Sequence, residues 1–199
     1  MSLESWRERP RQTLDDPAAM RAFAHPVRLA LHELLMRSGA MTAADAAREV
    51  GVSQALASYH LRQLARYGFV EQAEARDDRE RPWKVTSLTQ EWSGADTSPE
   101  KSAARGLLEQ VMAERALARL AEWQERRGGE PEEWRQAGGI GTSYLYVTPE
   151  ELAELDAEIG RLLEPLMARI VGASERPEGA RPVQLTTLLV PLPETGSGD

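Results

Sequence analysis

A mainly helical α+β fold in two parts is predicted by three observations. Between residues 16 and 68, short stretches with helical apolar spacing follow one another, separated by single glycines. After Gly68 the period shortens and two β-rich runs flank a charged turn. Beyond residue 98, long helical stretches alternate with two further β-rich runs. These divide the chain into a unit at 14–87 and a unit at 98–192, the second being helical with two strands in a small β-sheet.

The elements follow in order. Asp16-Pro17 reads as an N-cap followed by proline at the first helical position, with a short helix through Phe23. His25-Pro26 breaks it and starts another, whose apolar face holds Val27, Leu29, Ala30, Leu31, Leu34 and Leu35, and Gly39 ends it. Thr42 caps a helix that Gly51 stops, and Ser53 caps the next, which runs to about Tyr67. Residues 69–75 and 82–87 read as two strands of a hairpin with a charged tip. The last three of these helices and the hairpin, in this order, make a winged helix-turn-helix.

A linker spans about 88–97. Ser98-Pro99-Glu100 opens a helix to about residue 127, ended by Gly128-Gly129. Residues 140–147 read as a strand. Thr148-Pro149-Glu150-Glu151 is a capping box opening a helix over about 149–170, interrupted by Pro165. Its Leu152, Leu155, Ile159, Leu162 and Leu166 have the spacing of a packing seam. Residues 183–192 read as a last strand. The two strands are expected in one sheet covered by that helix.

Composition narrows the function. The chain has 199 residues, 28% charged and 41% hydrophobic, ordinary for a globular protein. The first sixteen residues have no apolar core, so they do not read as a secretory signal, and no run is long enough for a membrane span. No cysteine is present, which excludes disulfides and thiolate sites and fits a cytoplasmic location. The net charge of −8 is unevenly placed: residues 24–87 carry nine basic and eight acidic groups, residues 88–199 eleven and twenty. The distribution, more than the sum, decides whether a chain suits nucleic acid.

The 53–67 helix carries the most specific pattern. At about 100° per residue, Ala57, Leu61 and Leu64 fall on one side with His60 beside them. Ala55, Tyr59, Arg62 and Arg66 fall opposite, flanked by Ser58, with Gln54 at the exposed start. An α-helix fits the DNA major groove, where its early residues reach base edges. Gln54 suits adenine, Arg62 suits guanine or phosphate, and Tyr59 suits thymine methyls or phosphate; Ala55 permits close approach. In the hairpin, Arg76, Arg79, Arg81 and Lys84 form a wing suited to phosphates or the minor groove, although Asp77, Asp78 and Glu80 offset part of its charge.

The run from Asp16-Pro17 through Arg21-Ala22-Phe23-Ala24-His25-Pro26-Val27-Arg28-Leu29 to Leu34-Leu35 resembles the opening of ArsR-type winged-helix repressors. The segment from Ser53 to Leu64 is similar to their recognition helix, and Gly68-Phe69-Val70-Glu71 to the entry of their wing. The resemblance covers residues 14–87. It implies a homodimeric transcription regulator that binds an inverted repeat in duplex DNA. The chain departs from the metal-sensing members in having no cysteine, and it continues for about 110 residues after the wing. His25, His32 and His60 sit in or beside packing faces, so a structural role is expected of them and no metal site.

The 98–127 helix and the leucine seam are expected partly to pack on each other within one subunit and partly to mediate pairing, with the 98–127 helix nearer the two-fold axis. Trp123, Trp134, Tyr144, Tyr146 and Met167 could line an apolar pocket for a small-molecule effector, or form core. No catalytic set is present: no Gly-x-Ser-x-Gly elbow, phosphate loop or His-Glu-x-x-His motif. Glu150, Glu154 and Glu158 turn away from the seam as a solvated face. Neither an enzyme nor a cofactor is therefore expected. The rival reading is a protein-interaction module, in which the winged helix grips a protein and the acidic half mediates assembly. Salt dependence separates the two, because DNA binding weakens steeply with salt.

Overall fold

The computed structural model describes residues 12–74, 81–87, 90–91, 98–170 and 174–193. Its order is β1 (Gln12–Thr13), α1 (Pro17–Phe23), α2 (Pro26–Ser38), α3 (Ala43–Val50), α4 (Gln54–Arg66), β2 (Val70–Gln72), β3 (Trp83–Val85), β4 (Gln90–Glu91), α5 (Pro99–Arg126), a 3-10 turn (Arg127–Gly129), α6 (Glu132–Ala137) and α7 (Pro149–Met167).

The helix starts follow their cap residues. Side chains of Asp16, His25, Thr42 and Ser53 accept hydrogen bonds from backbone N–H groups in the first turns of α1 to α4. Each satisfies a donor that the helix leaves unpaired. Gly51 ends α3 at φ +76°, a left-handed conformation that costs any residue with a Cβ. That single residue makes the tight turn between α3 and α4.

The core lies where α1 to α4 meet the hairpin. Met20, Leu31, Ala46, Ala57, Leu61, Leu64 and Phe69 are fully buried. Burying each large side chain contributes roughly 1.5–3 kcal/mol. Phe23 and Phe69 stack at 4.3 Å, and His32 meets Phe23 edge-on at 4.9 Å. Strands β2 and β3 pair antiparallel, with Val70 opposite Val85 and Gln72 opposite Trp83. Met41 exchanges two backbone hydrogen bonds with Trp83, at 2.8 and 3.1 Å, so the hairpin is fixed to the connection between α2 and α3.

Two features differ from the sequence expectation in this half. The 88–97 stretch does not separate two cores. Ala104 and Leu108 of α5 are buried with α1 in the first core, and Arg21–Glu100 (2.9 Å) and Lys101–Asp15 (2.8 Å) ion pairs join the same helices. Within that stretch, Gln90 and Glu91 pair parallel with Gln12 and Thr13. Helix α5 thus completes the winged helix with its first turns and stays tied to α2 further along, where Arg115 and Arg119 both pair with Glu33, at 2.7 and 2.5 Å.

The second half departs further. Residues 140–147 and 183–192, expected as strands of one sheet, form no strand. No backbone–backbone hydrogen bond joins either segment to another among the described residues. Their side chains lie open: Tyr146 is fully exposed, and Ile140, Val183 and Leu188 more than 70% so. Helix α7 forms with the expected reciprocal cap between Thr148 and Glu151. Its Leu152, Leu155 and Ile159 are half-buried, but Leu162 and Leu166 are exposed. Past Leu108, Ala168 is the only buried apolar residue among the described ones. Helix α6 was not foreseen; Pro131 ahead of Glu132 and Glu133 is the start signal that marks it.

Candidate nucleic-acid interface

Helix α4 is anchored on one side and free on the other. Ala57, Leu61 and Leu64 are at most 0% exposed, and His60 is buried beside them. Gln54, Ala55, Tyr59, Arg62 and Arg66 are exposed, and Ser58 is half-buried at the edge of that face. Tyr59 is 50% exposed. Among the described residues, no carboxylate pairs with Arg62. Arg66 lies over the Tyr67 ring at 5.8 Å.

Ser53 fixes where this face begins. Its Oγ accepts from Leu56 N at 3.2 Å, leaving Gln54 and Ala55 at the open, electropositive end of the helix. Beside them starts α3, whose Thr42 Oγ1 accepts from Asp45 N at 3.2 Å. Together the first turn of α3, Gln54, Ser58 and Arg62 of α4, and Gln72, Arg81 and Trp83 of the hairpin border one open cleft of about 520 Å³. The wing and the recognition face are therefore two walls of the same recess. That arrangement lines one recess with the amides of Gln54 and Gln72, the hydroxyls of Thr42 and Ser58, and the guanidinium groups of Arg62 and Arg81.

The wing residues fare unequally. Arg81 is exposed at the cleft. Lys84 is half-buried and pairs with Glu71 across the strands at 3.2 Å, which offsets part of its charge. This cross-strand partner follows from the register, Glu71 opposite Lys84, which a linear reading of the hairpin does not give. Arg76 and Arg79 lie outside the described residues.

Behind α4 the histidines are held neutral by their surroundings. His25 Nδ1 accepts from Val27 N at 3.2 Å as the cap of α2. The His25 and His60 rings lie 4.6 Å apart, tilted at 40° to each other. Burial lowers both pKa values, and the neighbouring Arg28 adds to it; for His60, the His25 ring contributes as well. Burial alone lowers His32 to about 4. Arg28 Nε donates to the Ala22 carbonyl, tying this layer to the end of α1. Among the described residues, no group of three or more His, Cys, Asp or Glu side chains is placed to hold a metal.

The five residues expected as an effector pocket are not gathered. Trp123 borders a shallow cleft of about 540 Å³ with Leu120 and Ile140. Trp134 lies beneath the Arg181 guanidinium at 5.1 Å. Tyr144 and Tyr146 are 82% and 101% exposed, and Met167 is half-buried at the end of α7. The sheet that was to bring these rings together does not form within one chain.

Residues 23–73 match the family model of a helix-turn-helix domain. That match spans α2, α3, α4 and β2, and so includes the α3, α4 and β2 walls of the cleft but not Arg81 or Trp83. No curated protein matches the chain. Among solved structures, the multiple antibiotic-resistance repressor (MarR) from Listeria monocytogenes 4b F2365 aligns over 74% of this chain and 82% of its own, at 14% identity and a TM-score of 0.30. A similarity at that level carries no argument about this chain. Among the described residues, no helix is long and apolar enough to cross a membrane.

Proposed function

We propose that this chain is a sequence-specific, duplex-DNA-binding transcription regulator of ArsR type that acts as a homodimer. Helix α4 enters the major groove, and the β2–β3 wing lies on the adjacent backbone or minor groove. The observation that carries the reading is the two-sided α4: a sealed apolar face behind an open face of Gln54, Ser58, Tyr59 and Arg62. Arg62 matches the bidentate geometry of guanine, and Gln54 that of adenine. Arg81 and the first turn of α3 supply phosphate contacts that fix register and carry no sequence information.

The acidity of the second half is compatible with this role. It lies on elements other than the face, so the local field at α4 and Arg81 is set by nearby cations. A single helix-turn-helix reads few bases, and a two-fold dimer doubles them by meeting two half-sites about one helical turn apart.

Selection of bound duplexes from a random pool by the full chain tests the proposal. Enrichment of an inverted repeat with half-sites about 10 base pairs apart is the expected result. Failure to enrich any sequence, with binding insensitive to salt, overturns it in favour of a protein-interaction module.

A further inference from the structure

Segments 140–147 and 183–192 combine three properties. The first carries Tyr144, Tyr146 and Val147 and the second Val183, Thr186, Thr187 and Val190, residue types suited to a pleated surface. Neither contains a charged residue, although residues 88–199 carry twenty acidic and eleven basic groups. Neither makes a backbone pair, and their large apolar side chains face solvent. An unpaired, uncharged strand edge is a template for pairing with another chain.

The segments are nonetheless held at their ends. Arg181 donates to Glu130 at 2.6 Å and covers Trp134, and Arg119 donates to Gln184 Oε1 at 2.9 Å. These contacts start the second segment alongside α5. The first begins where Gly138 sits against the Trp123 indole; a Cβ there would lie 3.1 Å from the ring. It ends at the capped start of α7. The chain therefore presents both segments at fixed points while leaving their edges open.

We infer that segments 140–147 and 183–192 pair with the same segments of a second copy of this chain, forming an intermolecular antiparallel sheet that is the dimer interface. The inference rests on the homodimer in the reading above and names its surface. Two arguments select a second copy as the occupant. Two identical acidic chains repel unless they meet through an uncharged face, and these segments are the uncharged part of an acidic half. The eighteen residues they contain approach the roughly 20–30 a side of a standard stable interface. A two-fold axis then closes the contact into a dimer. Pro191 lacks the N–H to donate there and so sits at the end of the ladder.

The chain has no cysteine, which makes single-cysteine cross-linking clean. The full chain is expected to sediment as a dimer at micromolar concentration. The double variant Tyr146→Asp/Leu188→Asp is expected to sediment as a monomer with unchanged helical circular dichroism. Under oxidation, Leu188→Cys or Tyr146→Cys should give a covalent dimer, while Leu117→Cys, exposed on α5, should not. A monomeric parent, a dimer that survives the double substitution, or cross-linking through Leu117→Cys alone overturns the inference. Should the double variant lose its helical signal, the cysteine variants decide. DNA affinity is read separately on the same samples. A dimer that follows this pattern but binds no DNA removes the regulator reading and leaves the interface standing.

Discussion

The first 112 residues and the last 87 use similar apolar content in opposite ways. In the first region, Met20, Leu31, Leu61, Leu64 and Phe69 close on one another and on α5. In the second, Tyr144, Tyr146, Val183, Leu188 and Val190 remain open to solvent. The difference lies in where each element finds its partner. Helices α1 to α4 are separated by turns of a few residues, and each meets its neighbours within the chain. The 140–147 and 183–192 segments need backbone partners to become strands, and they have none among the described residues.

The largest expected effect tests that contrast directly. Leu61→Asp places an unpaired charge in a site that is 0% exposed, and should destabilise the first region by more than about 4 kcal/mol, read by urea denaturation. The matching substitution in the second region, Leu188→Asp, should leave the same transition within about 0.5 kcal/mol at concentrations that keep the chain monomeric. Equal costs at the two positions would break the comparison.

Acid should act on the first region through His32. Its pKa is about 4 in the folded chain and 6.5 when exposed, so between those values the unfolded chain binds more protons. Stability is therefore full above pH 6.5 and falls as pH drops toward 4, by on the order of 3 kcal/mol. His25 and His60 are lowered in the same direction and add to the slope. Melting temperatures from pH 7.5 to 4 check this; His32→Leu should flatten the dependence without abolishing it. A parent whose stability is constant over that range contradicts the burial account.

Two smaller effects separate surface from scaffold. Arg81→Ala should weaken DNA binding to all sequences alike and reduce the salt slope by about 1, because it removes a phosphate contact. Ser53→Ala removes the side-chain acceptor for Leu56 N and should cost about 1 kcal/mol, a shift of a few degrees in melting temperature.

The legibility of the sequence follows the same divide. Asp16, Thr42, Ser53 and Gly51 mark helix ends by local chemistry, so the helices of the first region and the faces of α4 could be read residue by residue. The capping box of α7 was equally plain. What could not be read was non-local. The Glu71–Lys84 pair depends on strand register, and the burial of Ala104 and Leu108 depends on where α5 docks. The tyrosines of 140–147 signal a strand but not which chain supplies its mate, so the pocket drawn around Tyr144 and Tyr146 had no sheet to hold it.

The central claim is that the open face of α4 enters duplex DNA. Fluorescence anisotropy on a selected duplex, comparing the parent with Tyr59→Ala and Arg62→Ala, tests it most directly. The account expects each variant to melt like the parent and to bind at least about tenfold more weakly, with Arg62→Ala also relaxing the base preference at one position. Variants that bind as tightly as the parent would contradict it.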